Sequence, residues 1–278
     1  MTEALGHAFM QNAIAAAMLG SIACGVVGTL VVVNRMSALT GSIAHAAFGG
    51  LGLSYLVGIH PLAGAALFSL GSGLGIGAIS SCNPKRSDTV IAAFWAIGMA
   101  LGLVFIRLAP GYAVDLMSYL FGSILSVTRS DLLLMASLDV VILALVGALF
   151  RRLVAVSYDP EFARANGLRV RALFMLMVCL TALSVVMLVR IAGLIMVIAM
   201  MTIPASVARL FLRTVRAMMI LSVALSAAFM LAGLALAWVL DLPTGAVIIL
   251  VSGLVYFLAL LAARTGRARR ASESLQAQ

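Results

Sequence analysis

"LFMLMVCLTALSVVMLV", residues 173–189, decides the fold class. Seventeen residues without a charge come close to the roughly 20 that carry a helix across a bilayer. The rest of the chain repeats the theme. It has 278 residues, 64% hydrophobic and 10% charged, where a water-soluble domain carries about 25% charged residues. So little polar surface excludes a soluble enzyme or a separate soluble domain, since the longest polar stretch is the tail after Ala263. The composition predicts an all-α, polytopic helical membrane protein of about eight to nine transmembrane helices.

Candidate crossings fall at 9–33, 42–58, 61–81, 89–107, 131–150, 172–190, 192–209, 217–240 and 244–263. Connections as short as "IHP" at 59–61, "IAG" at 191–193 and "DLPTG" at 241–245 require antiparallel neighbours. Of the 18 Lys and Arg residues, only Arg107, Arg129 and Arg190 fall on one side, and the other 15 on the opposite side. The positive-inside rule puts the rich side in the cytoplasm, with the N-terminus outside and the C-terminus inside. The net charge of +9 is therefore a topology signal and not a nucleic-acid footprint. The start, "MTEALGHAFMQNAIAAAML", has no basic n-region of the kind a cleaved signal peptide needs. Residues 1–264 form the predicted membrane domain and 265–278 a basic cytoplasmic tail.

One apolar segment is not counted as a crossing. "YAVDLMSYLFGSILSV" (112–127) would, as a span, place Arg151 and Arg152 outside. It is predicted as a short or re-entrant outer helix, allowed at membrane depth when packed against protein, after the turn "LAPGY" (108–112). Small residues concentrate in 44–58 and 71–80, where Gly50, Gly58, Gly71, Gly73, Gly75 and Gly77 admit close helix approach and place these helices inside the bundle.

Ionisable groups inside a membrane are costly and mark function by default. Two qualify. Asp139 lies mid-span in "MASLDVVILAL", and His45 lies in the first turns of 42–58, beside Ser42. Imidazole ligates zinc and other divalent ions and a carboxylate balances their charge, so His45 and Asp139 are a candidate pair at a transient metal site. Core hydrogen bonding is the competing account of each. The sixteen methionines, scattered singly through apolar spans, read as adaptable packing. Cys24, Cys82 and Cys179 show no CxxC spacing and predict neither disulfide nor zinc cluster.

Enzymatic signatures are absent: no HExxH, no GxSxG and no GxxxxGK[ST]. ATP cannot be bound here by a phosphate loop, so ATP-driven transport requires a second polypeptide. Aspartyl hydrolysis by Asp139 with Asp131 would need two carboxylates within hydrogen-bond reach, yet the two are eight residues apart. A proton-coupled carrier using Asp139 would favour internal inverted repeats, and no convincing repeat is found. In the cytoplasmic loop, "SYDPEFARANG" (157–167) reads as a short capped helix, with Ser157 or Asp159 at the cap, Pro160 at the first position and Gly167 after the end. Glu161 and Arg164 on its face, with Phe162, Ala163 and Ala165, suggest docking to a partner.

Four stretches together, "GSIAHAAFGGLGLSYL" (41–56), "SYLFGSIL" (118–125) followed by Asp131, "YDPEFARANGLRV" (158–170) and "GLIMVIAMMTIPASVARL" (193–210), resemble the zinc/manganese/iron class of ABC importer permeases. The resemblance implies a type II importer fold of the cobalamin and siderophore kind in a bacterial or archaeal cytoplasmic membrane. It implies a permease homodimer bound to two cytoplasmic ATPase subunits and served by an extracytoplasmic metal-binding protein, with zinc first and manganese or iron next as cargo and no resident cofactor. On that pattern 157–168 is the coupling helix, with Asp159, Glu161, Phe162, Ala165 and Gly167 facing the ATPase. The segment 112–127, with Asp115, Tyr119 and Phe121, is the outer gate, and His45 lies on the pathway. The chain departs at Gly41, where members of the class usually carry an aspartate one turn before the histidine. The carboxylate is then missing, or comes from another helix with Asp139 as candidate, and His45 of the partner subunit is a further candidate ligand. A permease for a chelated metal or small organic solute is the alternative.

Overall fold

The computed structural model describes residues 8–82, 87–110, 122 and 124–276. Nine α-helices follow one another among the described residues: α1 (Ala8–Val33), α2 (Ser37–Val57), α3 (Pro61–Cys82), α4 (Ser87–Leu108), α5 (Arg129–Tyr158), α6 (Pro160–Ala165), α7 (Val170–Phe211), α8 (Val215–Leu240) and α9 (Thr244–Gln276). A 3₁₀ turn, Ile124–Ser126, precedes α5. The prediction of an all-α membrane protein holds, because eight stretches are long and apolar enough to cross a bilayer. The segment around α2 is the exception: Thr40, Ser42, His45 and its glycines dilute its hydropathy, and it is sheltered within the bundle instead.

Within α7 the chain doubles back. Asn34 at the foot of α1 reaches Met177 Sδ at 3.4 Å, and a Cβ built on Gly20 would meet Leu188 at 3.1 Å. Further on, Met201 lies beside Gly28, and Arg209 Nη1 donates to Val32 O at 3.1 Å. The chain thus climbs α1 from Met177 to Leu188 and returns to Arg209. The reversal is at Gly193, with φ 69° and ψ 166°, a backbone state that glycine reaches without steric cost. The two limbs, Val170–Val189 and Gly193–Phe211, are separate candidate spans, as the short "IAG" connection requires. Pro204 is buried in the second limb, and the helix continues through it to Phe211.

α1 and α7 form the centre. α1 is the most buried span, while α4, α5 and α9 are the least buried. The outward faces of these outer helices carry Ile97, Leu133, Val140, Leu250 and Phe257, a surface suited to hydrocarbon and not to water. α2 packs most extensively on α4 and also on α3 and α7. Gly98 and Gly102, one turn apart on α4, set that crossing. A Cβ at 98 would lie 2.8 Å from Ala46 Cα, and one at 102 would lie 2.9 Å from Phe48 O. Gly49 and Gly52 answer from α2, at 2.9 Å from Gly98 O and 2.6 Å from Gly102 O. This is small-residue packing in its membrane form, where backbone approach replaces a hydrophobic drive. Among the glycines singled out from sequence, Gly50 packs against Gly64, Gly73 and Gly77 pack against α7, and Gly75 against Phe94. Two serve otherwise: Gly71 faces open space, and Gly58 caps α2 in the left-handed conformation with φ 78°.

Helix ends follow local chemistry. Thr128 and Asp131 cap α5 reciprocally: Thr128 N donates to Asp131 Oδ2 at 3.0 Å and Asp131 N to Thr128 Oγ1 at 3.3 Å. Asp131 is thereby a structural cap. The expected outer helix 112–127 and its gate residues Asp115, Tyr119 and Phe121 lie outside the described residues apart from the final turn. There Ile124 and Val127 are buried, and Asn12 Nδ2 of α1 donates to Val127 O at 3.1 Å. The basic tail continues α9 as helix to Gln276.

Candidate functional site

His45 is presented by α2 toward α4. Its imidazole stacks on the Trp95 indole, with ring centroids 4.7 Å apart and planes inclined by 26°. Nδ1 is buried without a hydrogen-bond partner, while the residue as a whole is only half-buried. Stacking on Trp95 orients the imidazole, and Nδ1 has no hydrogen-bond partner among the described residues. Ser42, predicted beside it, donates to Ile91 O at 3.0 Å and ties α2 to α4. Its hydroxyl is engaged in the helix contact.

Trp95 also covers Gly41. A Cβ on residue 41 would lie 2.6 Å from Trp95 Cη2, closer than real side chains approach. The position one turn before the histidine is therefore filled by indole, not merely left empty.

Asp139 is buried on α5, with neither carboxylate oxygen hydrogen-bonded among the described residues. It faces α1 beside the buried Cys24. His45 sits on the α2–α4 contact and Asp139 on the α5–α1 contact, so the expected pair is not brought together within one chain. Among the described residues no group of three or more His, Cys, Asp or Glu side chains could enclose a metal ion.

The two ends of the bundle differ. At one, a cavity of about 240 Å³ is lined by Leu51, Tyr55, His60, Pro61, Val186 and Val189, where α2, α3 and the apex of α7 meet. At the other, a wider concavity of about 730 Å³ is bordered by Arg35, Arg209, Arg213, Asn34, Ser157 and Tyr158. Arg35 adopts φ 58° there, and Asn34 Nδ2 donates to Ser157 Oγ at 2.9 Å, closing the base of α1 onto α5. Ser157 donates to Leu153 O, which leaves Asp159 as the cap of α6.

α6 stands beside this basic concavity. Asp159 Oδ1 accepts from Phe162 N at 2.9 Å, and Pro160 occupies the first position. Past the helix end, Leu168 N donates to Ala163 O at 3.1 Å, around Gly167 at φ 78°, the 6→1 bond of a glycine-terminated helix. Ala163 is buried against the bundle, whereas Glu161, Arg164 and Ala165 are exposed and Phe162 is 65% exposed. Of the apolar residues predicted to dock a partner, Phe162 and Ala165 point outward and Ala163 anchors the helix inward.

Trp95, Gly98 and Gly102 escaped the sequence reading. The spacing "GMALG" (98–102) was a legible signal for a close helix crossing; the indole over Gly41 had none.

Comparison with known proteins agrees with this architecture. A family model described as the ABC 3 transport family matches residues 6–263. An uncharacterised membrane protein of Synechocystis sp. is 45% identical over 94% of this chain and 92% of its own length. The manganese import system permease protein ScaB of Streptococcus parasanguinis is 35% identical over 90% of this chain and 89% of its own. Among solved structures, PsaBC from Streptococcus pneumoniae in complex with Fab superposes with a TM-score of 0.82 at 29% identity, covering 91% of each chain. With the capped α6, the α7 hairpin and the half-buried histidine in place, the chain belongs to the ABC 3 family of metal-transporter permeases.

Proposed function

We propose that this permease carries divalent transition-metal ions into the cytoplasm by alternating access, zinc first and manganese or iron(II) after it. The observation that carries the reading is the half-buried His45, with its unpartnered Nδ1, on a helix with no other ionisable group but Tyr55. Imidazole suits zinc and iron(II), whereas carboxylate and water suit manganese. Asp139 supplies a counter-charge in the transmembrane interior at a distance from the histidine.

The chain works as a homodimer with cytoplasmic ATPase subunits and an extracytoplasmic metal-binding protein. Its N-terminus is outside, so the basic end with α6 faces the cytoplasm, in keeping with the positive-inside rule. There Asp159 and Gly167 fix the ends of α6, while Glu161, Phe162 and Ala165 contact the ATPase. Closure of the nucleotide-binding subunits pushes on α6, and the movement reaches the helices around His45 as a rigid-body shift. The outer gate is assigned to 112–127 with Asp115, Tyr119 and Phe121.

Manganese as the principal cargo is the second reading. The name of the Streptococcus parasanguinis relative, a manganese import system permease, favours it. The test is uptake of each metal by cells expressing the chain with its ATPase and binding protein, against the same cells with an ATPase unable to hydrolyse ATP. Saturable zinc uptake lost with the inactive ATPase supports the proposal. Uptake that persists without the ATPase indicates an ion-coupled carrier, and absence of any free-metal uptake indicates a chelated or organic solute.

A further inference from the structure

Residues 41 and 45 are one helical turn apart, the spacing at which two side chains on a helix share a ligand. In this chain only one of them has a side chain. The place of the other is taken by Trp95, 2.6 Å at Cη2 from where a Cβ would be, and the same ring stacks on His45 at 4.7 Å. Trp95 is fixed on three sides. Its helix is tied to α2 by Ser42 bonding Ile91 O on one flank and by the Gly98 approach to Ala46 on the other, and the imidazole face holds the indole between them. For residue 41 to carry any side chain, this ring must shift from its seat over residue 41.

We propose that Trp95 is a specificity-determining residue: stacked on His45 and seated over Gly41, it excludes a second, carboxylate ligand and leaves one imidazole donor with an aromatic wall. A site that offers imidazole without oxygen ligands disfavours manganese, the weakest binder of the first-row divalent series, relative to zinc. It also holds the ion loosely enough to release it. This inference rests on the reading that His45 lies on the route.

The test uses the complete transporter, with its ATPase and binding protein, carrying Gly41→Asp, Trp95→Ala, their combination, and Trp95→Phe/Gly41→Asp as a second combination. Gly41→Asp alone is expected to lose assembly or uptake, because its Cβ meets the ring. Each combination is expected to recover assembly and to move the zinc-to-manganese uptake ratio toward manganese by about tenfold or more, the scale on which changes around a metal ligand act. A readout independent of transport uses the fact that the chain has two tryptophans. With Trp238→Phe in the permease and the tryptophans of its partner subunits replaced by phenylalanine, Trp95 alone fluoresces in the purified complex, and added zinc is expected to change its emission, with no change in the His45→Ala variant.

Two results overturn the inference. One is Gly41→Asp assembling like wild type with Trp95 emission unaltered, since the ring then does not occupy that space. The other is a combination that assembles with an unchanged metal ratio while His45→Ala abolishes uptake, which leaves the route intact and removes Trp95 from selectivity. His45→Ala with unimpaired uptake would instead remove the route itself, and the inference with it.

Discussion

Arg209 Nη1 donates to Val32 O across 177 residues of chain, at 3.1 Å. The bond joins the last turn of the returning α7 limb to the last turn of α1, where helix carbonyls lack intrahelical partners and a cation is favoured. Arg209→Ala should lower stability by about 0.5–1.5 kcal/mol, the net range for an intramolecular hydrogen bond, since the arginine is exposed. Arg209→Lys should recover part of it. Thermal unfolding in detergent of the two variants against wild type measures this.

The α2–α4 crossing gives a sharper packing prediction. Gly98→Val and Gly102→Val place methyl groups where Ala46 Cα and Phe48 O already lie, and each should cost about 1–3 kcal/mol or prevent folding, as overpacking does. Gly71→Val, facing open space, should change stability by under about 0.5 kcal/mol beyond its propensity effect. Equal sensitivity at all three positions would refute the crossing as described.

For α6 the expected effects divide between folding and partnership. Asp159→Ala removes the bond to Phe162 N and should destabilise the short helix by about 1 kcal/mol, with Asp159→Asn close to neutral. Phe162→Ala removes an exposed ring. It should leave the melting temperature unchanged while reducing recovery of the ATPase when the permease is purified from membranes. A lower melting temperature with undiminished ATPase recovery would make Phe162 a folding residue instead.

Asp139 separates structure from charge. Its carboxylate is buried without a hydrogen bond, so Asp139→Leu should leave stability unchanged or raise it by about 1 kcal/mol, since an unsatisfied buried polar group is removed. If the carboxylate balances an ion in transit, Asp139→Asn and Asp139→Leu should slow uptake alike. Wild-type uptake by both variants would deny it that role.

Much of the fold was legible because membrane helices are written locally. Length and apolarity marked each span to within a few residues, except that α2 begins at Ser37, α5 runs to Tyr158 and α9 to Gln276. Chain reversal at Gly193 followed from a connection too short for anything else, and the Asp159-Pro160 pair announced the start of α6. What stayed hidden depends on how helices meet. His45 and Asp139 looked like partners because each is the lone ionisable group in the interior of its span, yet α2 turns toward α4, where Gly98 and Gly102 admit it, and α5 turns toward α1. Trp95 is three residues before Gly98, and nothing in its local sequence reveals that its ring covers Gly41 on another helix.

Central to the account is that the cargo passes His45. The most direct measurement is zinc and manganese uptake by the assembled transporter, wild type against His45→Ala, with permease and ATPase quantified in the same membranes. His45→Ala is expected to assemble normally and to lose zinc uptake. Unimpaired zinc uptake by an assembled His45→Ala transporter would contradict it and make the histidine a packing partner of Trp95.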